Sequence, residues 1–106
     1  MRADDHSLSV LMENFGSLEA HEMAEFLGEV IEQLSADLQA ICSSSSTDVR
    51  AALHRIAGSA PSVGCLTLGT LARAEMSTDE GATPHIVSAA HAALTWLKNI
   101  REETVQ

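Results

Sequence analysis

Between Met23 and Ile41 the apolar residues Met23, Phe26, Leu27, Val30, Ile31, Leu34, Leu38 and Ile41 return every three or four positions, while Glu25, Glu29, Glu32 and Asp37 take the other side. A period near 3.6 sustained over this length is the apolar stripe of a long helix. It cannot be threaded as a strand, whose side chains alternate with period two. The spacing predicts a helix over Leu18–Cys42, with Ser17 as its N-cap and Glu19 and Glu22 in the first turn, where the helix dipole favours negative charge.

The rest of the chain divides the same way. Leu8, Leu11, Met12 and Phe15 fall at i, i+3, i+4 and i+7, one stripe of a short first helix that Gly16 stops. The hydroxyls of Ser43 to Ser46 compete with helical backbone bonding and predict a connection, after which Ser46 or Thr47 caps a third helix with Asp48 in its first turn. Val49, Leu53, Ile56, Ala60 and Val63 form its buried seam. Pro61 disfavours helical geometry at Ala60 and Gly64 adds a second break, so this helix is expected to end near Ala60 to Ser62. Leu66, Leu68, Leu71 and Ala72 supply a fourth helix before the loop from Ser77 to Ala82. Thr83 followed by Pro84 starts the last, Pro84 to Glu103, which buries Ile86, Ala90, Ala93, Leu94, Leu97 and Ile100. No strand-like alternation or internal repeat appears. The expected fold is all-α, an up-and-down antiparallel four-helix bundle with a short additional N-terminal helix lidding one end. One domain, 1–106, is expected, with its core over 8–103 and frayed ends at 1–6 and 104–106.

Composition narrows the function classes. In 106 residues, 45% apolar content suffices for a small core, which argues against disorder. Six Lys plus Arg against 15 Asp plus Glu give a net charge of -9, which disfavours a surface for phosphate backbones and with it nucleic acid as partner. No window approaches the roughly 18 to 20 apolar residues of a membrane span, and the opening Met-Arg-Ala-Asp-Asp lacks a secretion signal's apolar core, so a cytoplasmic protein without membrane contact is expected. Cys42 and Cys65 lack CxxC spacing and are expected to be small, buried or half-buried thiols without a disulfide. With only Phe15, Phe26 and Trp96 as aromatics, sheets are disfavoured.

Several chemistries find no residues. Bundle metal sites draw on Glu-x-x-His pairs, and the residues three before His6, His21, His54, His85 and His91 are Ala3, Leu18, Ala51, Ala82 and Ser88, so no metal site is expected. His85 and His91 are six apart, about 240° around a helix, and cannot chelate together. His21-Glu22-Met23-Ala24-Glu25 departs from the zinc-protease pattern at its last position. No Gly-rich loop of phosphate-binding spacing precedes a helix, so the chain has no ATP site of its own. No base accompanies Ser59, Cys42 or Cys65 in a recognisable nucleophile arrangement.

What remains is the run from Ala51 to Gly64. His54 follows the buried Leu53 by about 100° and shares its stripe with Arg50, Ala57, Gly58 and Pro61, which points it at the flank of the bundle. Its neighbours one turn either side, Ala51, Ala57 and Gly58, are all small. A glycine inside a helix costs about 1 kcal/mol relative to alanine. Gly58 therefore needs a reason, either room for a partner to approach the imidazole or close helix–helix contact, and spacing alone leaves both open.

His54-x-Ile56-x-Gly58-Ser59, followed by Gly64, Leu68 and Leu71, resembles the signature of histidine-containing phosphotransfer (HPt) domains, which reads roughly H-x-[LI]-K-G-[SA] with a later Gly and Leu pair. The likeness covers about Leu8 to Ile100. It implies a monomeric four-helix carrier that takes a phosphoryl group from a receiver-domain aspartate and hands it to another receiver. Its partners are response-regulator receivers or a hybrid sensor kinase, it has no cofactor, and the divalent metal belongs to the partner receiver. By the same resemblance His54 is the phosphoacceptor and Gly58 the clearance glycine. The family's Lys is Ala57 here, which removes a cation well placed to offset phosphoryl charge. Arg50, Arg55 and Arg73 are the candidates to replace it. Docking is expected to use Ala51, Pro61 and the first-helix residues Leu11, Met12 and Phe15, with core packing as the competing role for the last three. Two alternatives stay open: an HPt-fold adaptor that binds receiver or kinase domains without carrying phosphate, and a small helical oligomerisation module with an incidental His54.

Overall fold

The computed structural model describes residues 6–43, 46–76 and 84–104. Ser7 begins the first helix, α1 (Leu8–Phe15), by accepting the Val10 amide on its hydroxyl at 3.2 Å, one of the donors that a helix start leaves without an intrahelical partner. Gly16 ends it, and a short turn leads into α2 (Ala20–Ser43). The Ser17 cap is displaced. Glu19 takes the position before the helix, where its carbonyl accepts the Met23 amide at 2.8 Å and the Glu22 carboxylate accepts the Glu19 amide at 2.9 Å. This is the back half of a capping box, and a charged Glu22 oxygen at the positive end of the dipole outcompetes the more distant Ser17.

Helix α3 spans Ser46–Ser59, a 3-10 turn Pro61–Val63 follows, and then α4 (Leu66–Met76) and α5 (Pro84–Thr104). Ser46, expected in the connection or as its cap, already belongs to α3. The connection at Ser44 and Ser45, the loop from Ser77 to Ala82 and the Thr83 cap lie outside the described residues. Thr104, expected to fray, continues α5 and bonds the Ile100 carbonyl at 2.8 Å. His6 is also held, pairing across an isolated bridge with Cys65 and stacking on Trp96 with ring centroids 5.0 Å apart. Residues 1–5 lie outside the description.

The five helices among the described residues feed one core, for which Leu11, Leu27, Ile56, Leu68, Ile86 and Leu97 supply fully buried side chains. Each such side chain contributes about 1.5–3 kcal/mol of burial. Helix α2 packs on α3 and α5, α4 packs on α3 and α5, and α1 covers the 3-10 turn. Two crossings use glycine as a floor. Arg101 passes over Gly28 to donate to the Ala24 carbonyl at 2.9 Å, and the Pro61 ring sits where a Cβ on Gly69 would fall. Among the described residues Gly64 alone has a left-handed backbone, φ 89°, and its carbonyl accepts the Ser7 amide at 2.7 Å, fixing the N-terminal segment. Among the described residues no helix is long and apolar enough to cross a membrane.

One polar position departs from the expected pattern. Asp37, placed by its spacing with the solvated glutamates of α2, is 2% exposed. Arg55 of α3 satisfies it, a partner 18 positions away that helical periodicity cannot reveal.

Candidate functional site

On α3, Leu53 and Ile56 are buried and carry the seam against the rest of the core, which leaves His54 between them facing solvent. Gly58, one turn further on, is also exposed, and a Cβ built on it meets nothing within 4 Å. Among the described residues, no close helix–helix contact is made at this glycine. Ala51 is exposed one turn before His54. The result is an exposed imidazole with the small, open positions Ala51 and Gly58 one turn to either side of it.

Ala57 departs from the expected placement. It was expected on the open stripe of His54, yet it is 4% exposed and belongs to the core. Its carbonyl has a distinct position too. The helical partner of that oxygen would be the amide of residue 61, and Pro61 has none. Arg73, in the last turn of α4, reaches over and donates Nη2 to the Ala57 carbonyl at 3.5 Å. Neighbouring bonds finish the helix end: Ser59 Oγ donates to the Arg55 carbonyl at 2.9 Å, and the Cys65 amide donates to the Ala60 carbonyl at 2.9 Å.

The other two arginines differ in freedom. Arg55 is half-exposed and engaged with Asp37, whereas Arg50 is exposed one turn before His54, where its side chain leans toward the N-terminus and away from the ring. Of the expected docking residues, Leu11 is fully buried and so is a core residue rather than a contact for a partner. Phe15 is half-buried against Phe26, with ring centroids 4.3 Å apart. Pro61 is half-buried over Gly69, while Met12 is open to solvent together with Leu8 on the same face of α1. Leu8 was not among the expected contacts, although its i, i+4 spacing with Met12 carries the signal.

Elsewhere the chemistry is sparse. A cavity of about 290 Å³ between α2, the end of α3 and α5 is lined chiefly by apolar side chains such as Phe26, Val30 and Leu97. Burial pushes the Cys65 thiol up to about 12, which keeps it protonated and inert. Cys42 is free and exposed rather than buried, since it falls past the last apolar position of the α2 stripe. Among the described residues no group of three or more His, Cys, Asp or Glu side chains is arranged to hold a metal ion. Compared with models of protein families, with curated proteins and with solved structures, the chain matches none.

Proposed function

We propose that the protein is a histidine phosphotransfer carrier of a phosphorelay and that His54 accepts the phosphoryl group. In this reading α2 to α5 form an up-and-down antiparallel four-helix bundle and α1 is the added lid, which agrees with the packing of α2 on α3 and α5 and of α4 on α3 and α5. The observation that carries the proposal is the pairing of an exposed His54 with empty space at Gly58. Gly58 lies in the last turn of α3, and with no packing against its missing side chain it leaves room for a partner to approach the ring.

Phosphoryl transfer asks chiefly for in-line positioning and charge neutralisation, and a neutral imidazole is a competent nucleophile near pH 7. A lone pair on one ring nitrogen of His54 forms the N–P bond as the P–O bond of a receiver's aspartyl phosphate breaks. The bonding electrons leave with the aspartate carboxylate. The ring's other nitrogen keeps its proton, which is released to solvent or retained as the phosphohistidine equilibrates. Transfer to a second receiver reverses these steps. The receivers bring their own divalent metal, and this chain needs no nucleotide. Carriage without an ATP site, in the cytoplasm, by a monomer completes the proposal.

Ala57 supports a second reading, an adaptor of the same fold that docks a receiver or kinase domain without taking phosphate. Incubation with a phosphorylated receiver separates the two. Label moves to the wild type and not to His54→Gln if the chain is a carrier. Equal labelling of both, or none of either with binding retained, contradicts it.

A further inference from the structure

We infer that Arg73 of α4 is the cation that meets the phosphoryl group on His54, held in waiting by the Ala57 carbonyl that Pro61 leaves without a backbone donor. The inference rests on the phosphoacceptor reading of His54 and adds to it the source of positive charge, since on α3 Arg55 is engaged with Asp37 and Arg50 leans away from the ring.

The six Lys and Arg residues can be sorted by what holds them. Arg2 lies outside the described residues. Arg101 is spent on the Ala24 carbonyl across Gly28, and Lys98 lines the groove between α2 and α5. Arg55 closes on buried Asp37, and withdrawing it would strand a desolvated carboxylate. Arg50 and Arg73 remain on the side of the molecule that α3 presents, and only Arg73 extends to the α3 backbone C-terminal to His54. Ala57 lies three residues beyond His54, about 4.5 Å of Cα rise, and because its carbonyl points toward the C-terminus while the His54 ring leans toward the N-terminus, Arg73 meets the phosphoryl group by swinging from the one to the other.

The holding contact is of the kind a switchable ligand needs. At 3.5 Å it sits at the outer limit of hydrogen bonding, between a cation and a neutral carbonyl. A phosphoryl oxygen offers the same N–H a shorter, charge-assisted bond, and the planar guanidinium suits bidentate contact with it. Moving from one to the other costs Arg73 little desolvation, because it is exposed. With a net charge of -9 on the chain, one local cation matters more than it would on a neutral surface.

The test uses the full chain, a phosphorylated receiver, and phosphoramidate as a receiver-free donor, with wild type, Arg73→Gln and Arg73→Lys compared. Urea midpoints confirm that each variant folds. Expected is label on His54 in all three, a rate roughly tenfold lower for Arg73→Gln with both donors, and most of that rate restored by Arg73→Lys. The ³¹P resonance of the phosphohistidine should titrate at higher pH in Arg73→Gln than in wild type, since a nearby cation favours the dianion. A merely structural arginine would not move that titration. Wild-type rates and an unchanged titration in Arg73→Gln, with His54 still labelled, overturn the role of Arg73 alone. Absence of label in the wild type overturns the phosphoacceptor reading and the inference with it.

Discussion

The Arg55 guanidinium closes on a single oxygen of Asp37, Nη2 at 2.7 Å and Nε at 2.8 Å, and the Gln33 side-chain amide donates to the same oxygen at 3.2 Å. The pair ties α2 to α3 one position from the exposed histidine, and its two members are not equivalent. Asp37 is 2% exposed, while the Arg55 side chain is 48% exposed. Arg55→Ala leaves a buried carboxylate without its cation and should cost about 2–4 kcal/mol, toward the lower part of the range for broken buried pairs. Asp37→Asn leaves an arginine that water can reach and an amide of the same shape, at about 1 kcal/mol. Urea unfolding gives both numbers. An equal or reversed order would show that the pair is not organised around the buried acid.

Gly58→Ala separates folding from function. Because a Cβ there meets nothing within 4 Å, the variant should be more stable by up to about 1 kcal/mol, the helix propensity difference. Under the carrier proposal, transfer from a phosphorylated receiver slows while stability rises. A destabilised variant contradicts the open face, and a more stable one that transfers at the wild-type rate contradicts the clearance role.

Gly64→Ala should behave in the opposite manner. The left-handed backbone at φ 89° and the Ser7 carbonyl packed against the position leave no room for a methyl, so a loss of about 1–3 kcal/mol is expected. The His6–Trp96 stack depends on the same junction, and Trp96 fluorescence should report its loosening before global unfolding. Unchanged stability and emission would refute this placement.

The two thiols should react unequally. A maleimide at neutral pH should label Cys42 in the folded chain and both cysteines only in denaturant. Burial raises Cys65 from 9.0 to about 12, so between these values the unfolded chain has lost a proton that the folded chain keeps. Stability therefore falls with rising pH across that window, by at most about 1.4 kcal/mol per pH unit from this group. The decline should be shallower in Cys65→Ala, which removes the titrating thiol. Identical slopes in the two proteins would contradict the burial of Cys65.

How much of this was legible beforehand depended on whether a feature is local. The stripes from Leu8 to Phe15 and from Met23 to Ile41 placed α1 and α2 to within a few residues, because periodicity is written in consecutive positions. Asp37 was misplaced because its burial is decided by an arginine on another helix, and Leu11 because a stripe does not say which of its members lies at the centre of the contact. Ala57 sits at the edge between face and core, where an error of about 60° in helix rotation changes the answer. The orphaned Ala57 carbonyl was legible from Pro61 four residues on. That Arg73 would be the group to reach it was not, since the register of α4 against α3 is a tertiary fact.

The most direct measurement is the location of the phosphate after the full chain has met a phosphorylated receiver. Peptide mapping under alkaline conditions, which preserve phosphohistidine, should find one acid-labile phosphate, on the peptide that carries His54. Phosphate on any other residue, or an unmodified chain after productive binding of the receiver, would contradict the claim that His54 is a phosphoacceptor.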